Sequence, residues 1–221
     1  MRVRGVVVVR AAIALFEGVT LLDAVGPYEM WAGLPGVEVV FVAAGRGPVR
    51  DGGGTGALVA DAAFGEVERA DVVCVPGGVG QARHMDGGPL VEWVRAVDAA
   101  STWTTSVCTG SLVLAAAGLL EGRRATSHWL ALEELGRRGA RPVEERVVVD
   151  GRYVTAAGVS AGIDMGLVLA ERMAGERAAQ VVQLATEYDP RPPFGAGSRH
   201  TAPVEVVEWM RARSRFALRG R

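Results

Sequence analysis

The 221-residue chain contains no lysine and no asparagine; all 24 of its basic residues are arginine. These two absences remove whole mechanisms. Without lysine there is no Schiff-base nucleophile, no lysine-bound pyridoxal phosphate and no phosphate-gripping lysine of the Walker type. Without asparagine there is no Cys-His-Asn triad and no acceptor for N-glycosylation. The arginine bias itself reads as compositional. Cysteine is scarce too: Cys74 and Cys108, each among apolar neighbours, do not make the disulfide framework of a secreted protein, and the expected setting is the cytosol. Positive charge is not in surplus, since 24 basic against 25 acidic residues leave a formal net charge of -1. Nucleic acid and anionic lipid therefore have no electrostatic footprint to meet. No apolar run reaches the roughly 18 residues that span a bilayer. The opening "MRVRGVVVVRAAIALFEG" is basic and then apolar, but Arg10 interrupts it and no clean small-residue cleavage site follows. It reads as a segment leading into the first buried strand, not as a signal peptide.

Short apolar runs alternate with helix-like stretches. Strands are expected at 11–16, 37–44, 70–78, 103–108 and 152–158, and helices at 21–34, 89–101, 110–120, 128–139 and 161–175. The runs are continuous rather than alternating, so the sheet they build is covered on both faces. This is the pattern of a single doubly wound α/β domain with a mostly parallel sheet. The glycine-rich stretch 45–67 is expected as a loop or small hairpin beside that sheet; its glycines do not form a dinucleotide fingerprint. A proline- and glycine-rich segment, 187–203, should cross the surface before a last helix at 204–219.

"TTSVCTGSLVLAAAGLL" places Cys108 where a strand turns into a helix. A side chain there projects from the carboxyl edge of the sheet, where open α/β folds bind ligands. The amino terminus of the next helix is expected to lower the thiol pKa and to favour an adjacent anion. The plain alternative is a small buried hydrophobe, which is the reading for Cys74 in mid-strand. Asp23, in "GVTLLDAVGP", is an acid among apolar residues, and burial would raise its pKa into the range of a proton donor and acceptor. It could equally be a turn or capping aspartate. Gly77 and Gly78, in "VPGGVG", end another strand and offer unhindered amides to a developing anion. His128 is either a proton handler for Cys108 or a helix-start residue. His84 and Glu17 read as solvated, His200 lies in the tail loop, and Asp164 either braces the site or faces solvent. Three scattered histidines make a poor metal site, so no metal is expected.

Taken together, "LLDAVGPYEMWAGLP", "VPGG", "TSVCTGSLVLAAAGLLEGRRATSHW", "ERVVVDGRYVTAAGVSAGIDMGL" and "EYDPRPPFGAGSRHTAP" resemble the ThiJ/PfpI superfamily, flavodoxin-like relatives of class I glutamine amidotransferases. Within it the likeness is to isonitrile hydratases. The cysteine motif is shared with sensor domains of AraC-type regulators, but those carry a further helix-turn-helix region of about a hundred residues. Amidotransferase-like and proteolytic members usually place histidine directly after the cysteine or carry a dedicated Cys-His-acid triad, whereas here the position after the cysteine is Thr109. The resemblance implies an acid-assisted mechanism with Cys108 as nucleophile, Asp23 as general acid and base, and Thr109 orienting the site. It leaves His128 a structural residue. It further implies a small-molecule substrate, no cofactor, and a homodimer with the site near the interface. Ala157 and Ser160 stand where similar members have glycine and threonine, in a stretch expected to shape the pocket.

Overall fold

The computed structural model describes residues 8–214 and Phe216; the leading residues 1–7 and the end of the expected last helix lie outside the described residues. The chain opens with β1 (Val9–Ala14), α1 (Leu21–Trp31) and β2 (Val37–Ala43). An antiparallel hairpin of β3 (Gly47–Arg50) and β4 (Ala57–Ala60) stands beside the sheet, and β5 (Ala62–Ala63) returns the chain to its edge. Next come β6 (Val72–Val75), α2 (Pro89–Asp98), β7 (Trp103–Val107) and α3 (Gly110–Ala116). A small parallel pair, β8 (Arg124–Ala125) and β9 (Arg141–Pro142), brackets α4 (Leu132–Arg137). Then β10 (Val147–Asp150) and β11 (Tyr153–Ala156) lead to α5 (Ala161–Ala174), α6 (Glu176–Ala185) and α7 (Val204–Arg213). Among the described residues the main sheet has seven strands in the order β10-β11-β7-β6-β1-β2-β5, and only β10 runs antiparallel to its neighbour.

The doubly wound α/β expectation holds, with differences at the edges. Helix α3 stops at Ala116 rather than 120, because Gly118 turns left-handed at φ 78°. Helix α1 ends at Trp31, three residues before the expected boundary, where the glycines and proline of "AGLPG" take over. The last helix closes at Arg213, since Ser214 is extended. Helix α6 was not foreseen: it buries only Ala179 and Val182, too thin a stripe to declare itself in sequence. Edge strand β10 was also missed.

Pleating divides each strand between two cores. In β1, Ala12 and Ala14 face the side packed by Leu90, Trp93 and Leu112, while Ala11 and Ile13 face Trp31, Met165 and Leu169. All four residues of β6 are buried, as a strand covered on both faces requires. On the second face α1 and α5 approach closely at Gly166: a Cβ there would stand 2.7 Å from the Met30 Cβ, and the Trp31 indole N–H donates to the Gly166 carbonyl at 2.9 Å. That contact fixes α1, whose first turn carries Asp23.

Candidate active site

Cys108 follows β7 directly and has φ 56°, a left-handed backbone uncommon outside glycine. A nucleophile elbow has this geometry: the strand ends, the chain turns sharply, and the side chain stands at the head of the next helix. Four hydrogen bonds hold the turn. The Cys108 amide donates to the carbonyls of Ala156 (3.1 Å) and Ala157 (2.9 Å), and its carbonyl accepts from the hydroxyls of Ser127 (3.0 Å) and Ser111 (3.2 Å).

Asp23 is fully buried. The loop entering α1 is pinned to the end of β6 by the Thr20 amide, which donates to the Gly77 carbonyl at 2.9 Å, and the Gly77 amide returns a 2.9 Å hydrogen bond to Asp23 Oδ2. The Cys108 thiol is hydrogen-bonded to the same carboxyl, while Oδ1 has no N–H or O–H donor among the described residues. Burial raises the Asp23 pKa from 3.8 to about 7, against the lowering effects of the Gly77 amide and the Cys108 thiol. The sequence expectation of a buried, basic carboxyl is met.

The expected direction for the thiol is reversed. Burial, followed by the charge of Asp23, pushes Cys108 up to about 12, outweighing the amides of Val159 and Thr109 that reach its sulfur. The seven-residue α3 supplies too little field to overturn that. When Asp23 is ionised the proton therefore stays on sulfur, and the carboxylate is the neighbouring base that can take it.

Gly77 and Gly78 also do something other than offer free amides. Gly77 N–H serves Asp23, and Gly78 N–H donates to Thr109 Oγ1 at 3.1 Å. A Cβ on Gly77 would stand 2.6 Å from the Thr109 nitrogen, 2.7 Å from its Oγ1 and 2.9 Å from Asp23 Oδ2, so only glycine fits where the three segments meet. The donors that face the sulfur are instead Thr109 N–H and Val159 N–H. Val159 is the residue sequence reasoning missed: it has φ 33°, a strained conformation for a β-branched side chain. A backbone donor leaves no mark in residue type, though the stretch around it was singled out.

The remaining candidates fall outside this cluster. The His128 Nδ1 accepts from the Leu130 amide at 3.3 Å at the start of a short 3-10 turn, and its ring edge lies against Gly158. That is the helix-start reading. His84 is not solvated as expected but half-buried, edge-on to Phe16 at 5.3 Å, with its pKa lowered by burial and by Arg83. His200 pairs with Glu144 at 2.9 Å on the surface, and Glu17 is exposed. Asp164 pairs with Arg146 and accepts from the Tyr188 hydroxyl at 3.2 Å, bracing the Val159 segment. Cys74 is buried in β6, where burial drives its pKa up to about 12. It packs in the core, as read.

An isonitrile hydratase from Pseudomonas putida is 45% identical over 205 residues, covering 93% of this chain and 90% of its own length. A transcriptional regulator of the helix-turn-helix type from Pseudomonas aeruginosa, CdhR, is 33% identical over 66% of this chain but only 43% of its own. The crystal structure of a ThiJ/PfpI family protein from Pseudomonas syringae superposes with a TM-score of 0.90 at 38% identity, covering 95% of this chain and 89% of that one. With the DJ-1/PfpI family model matching residues 9–172, across the elbow and both of its partners, the chain belongs to the DJ-1/PfpI family.

Proposed function

We propose that this protein is an isonitrile hydratase, adding water to an isonitrile to give an N-substituted formamide. The observation that carries the reading is the hydrogen-bonded pair of Cys108 and Asp23, a thiol at an elbow facing a buried carboxyl near neutrality, in a chain 45% identical to such an enzyme. An isonitrile needs what this pair supplies: its terminal carbon becomes electrophilic only as it gains a proton. Ionised Asp23 draws the proton from the Cys108 thiol and passes it to that carbon while the sulfur attacks. The product is a thioimidate in which carbon has gained one hydrogen and one sulfur bond. Asp23, ionised again, takes a proton from water as the oxygen adds to the thioimidate carbon and hands it to the nitrogen. The tetrahedral adduct then collapses: the carbon–sulfur bond breaks, Asp23 carries the adduct's hydroxyl proton to sulfur, and the thiol is restored as the formamide leaves. Substrate plus water equals product, and no cofactor enters the balance.

Thr109 places its own amide on the sulfur and its hydroxyl on Gly78. Gly77 and Gly78 form the close wall that aligns Asp23 and Thr109. The amides of Thr109 and Val159 support negative charge on sulfur during attack and expulsion. The reading carries a cytosolic homodimer with it. Half-exposed Leu22, next to Asp23, and exposed Val79, next to Gly78, are apolar groups suited to a second copy beside the site. Proton NMR of the pure protein with cyclohexyl isonitrile, and separately with methylglyoxal, tests the function. Formamide from the isonitrile and no consumption of the aldehyde support it; the reverse would assign a glyoxalase-type activity.

A further inference from the structure

The proline- and glycine-rich stretch before α7 lies beyond residue 172, where the family match ends, yet within the length shared with the Pseudomonas putida hydratase. It is tied down from one side. Glu144 accepts from Arg199 Nε at 2.9 Å and stands 2.9 Å from His200 Nε2. Beneath this strap is a cavity of about 520 Å³, within the size range of small-ligand sites. Residues 196–200 and Met210 of α7 close it on one side. Cys108 does not itself line the cavity, but two groups bonded to it do: Ser127, whose hydroxyl holds the Cys108 carbonyl, and 157–160, which includes Val159 with its amide on the sulfur. Trp129 and Leu132 add apolar surface.

The charges around the cavity are engaged with one another or with neighbours. Glu144 holds Arg199 and His200, Glu145 pairs with Arg124, and Arg146 pairs with Asp164. Ser127 and Ser198 are also hydrogen-bonded within the protein, the latter to Thr201. An occupant thus meets apolar surface and already satisfied polar groups, which suits a neutral molecule with a compact apolar body. Before attack an isonitrile is linear through carbon, nitrogen and substituent, so a terminal carbon docked at the sulfur holds the nitrogen substituent away from Cys108; Val159, whose amide reaches that sulfur, also lines the cavity.

We propose that this cavity is the subsite for the organic substituent on the isonitrile nitrogen, and that the C-terminal strap with Met210 sets its size limit. The proposal rests on the hydratase reading and assigns specificity to the segment that the common family domain lacks. It selects neutral alkyl or aryl isonitriles of ring size over charged ones.

The test is kcat/KM for cyclohexyl and for methyl isonitrile with the wild type, Met210→Trp and Ala196→Trp. Both substitutions put an indole into the cavity from the strap side, and Ala196 is exposed, which keeps the test available if Met210→Trp does not fold. The expected result is a fall of about tenfold or more for the cyclohexyl substrate, carried by KM, with the methyl substrate within about twofold of wild type. A cyclohexyl-to-methyl ratio unchanged in the folded variants overturns the subsite and leaves the hydratase standing. If the wild type hydrates neither isonitrile, the hydratase reading falls and the subsite falls with it.

Discussion

Asp23→Asn should make the protein more stable at neutral pH while disabling it. The carboxyl ionises near its ordinary 3.8 in the unfolded chain and near about 7 in the folded protein, chiefly because it is buried. A group that holds its proton more tightly when folded contributes its stability fully below the unfolded pKa, and that contribution is lost as pH rises through the folded pKa. At about 1.4 kcal/mol per pH unit, the window from 3.8 to about 7 amounts to about 4 kcal/mol at most. Asparagine keeps the acceptor that meets the Gly77 amide at 2.9 Å, fills nearly the same volume and never ionises. Urea denaturation of both proteins at pH 4.5, 5.5, 6.5 and 7.5 isolates the effect, because other titrating groups cancel in the difference. The variant's advantage should grow by about 2 to 4 kcal/mol from the lowest pH to the highest. Parallel curves, or a wild type that gains on the variant as pH rises, would show that ionising Asp23 does not destabilise the fold. Turnover of the variant should fall by roughly 10² to 10⁴, the usual worth of a positioned acid-base group, so the site trades stability for chemistry.

Two further outcomes follow from the same pair of groups and their scaffold. Because the competent form has Asp23 ionised and Cys108 protonated, kcat/KM should rise about tenfold per pH unit below about 7 and level off above it, with no descending limb below pH 9; a profile that falls through neutrality would mean a protonated Asp23 starts the reaction. Gly77→Ala should cost about 1–3 kcal/mol in thermal unfolding and most of the activity, since its Cβ would lie 2.6–2.9 Å from Thr109 and Asp23; an active, fully stable variant would show that the three segments are not held as tightly as the structure has them.

Much of this site was legible because some residue types have few reasons to sit where they do. A scarce cysteine at a strand-to-helix turn, followed by threonine and glycine, marks the elbow, and an aspartate among leucines and valine marks the buried acid. Continuous apolar strands marked the sheet, and β6 and β7 lie where they were expected. The direction of the thiol pKa was not legible, because it depends on how deeply the assembled fold buries Cys108 and on a charge 85 residues away in sequence. Nor was the Val159 amide, whose function depends on φ 33° and not on valine. The jobs of Gly77 and Gly78 were half seen: close approach was the right physics, but the amides serve Asp23 and Thr109. The cavity under the C-terminal strap could not be read from sequence, since its lining is joined by contacts such as Glu144 with Arg199, 55 residues apart.

The proposed turnover passes through a covalent bond from Cys108 to the substrate carbon. Rapid acid quench during turnover of cyclohexyl isonitrile, followed by intact-mass measurement and peptide mapping, tests it directly. The expected species is heavier by the mass of one isonitrile, maps to Cys108 and is absent from Cys108→Ser, which forms no formamide. An adduct on Cys74, or formamide production by Cys108→Ser at the wild-type rate, would contradict it.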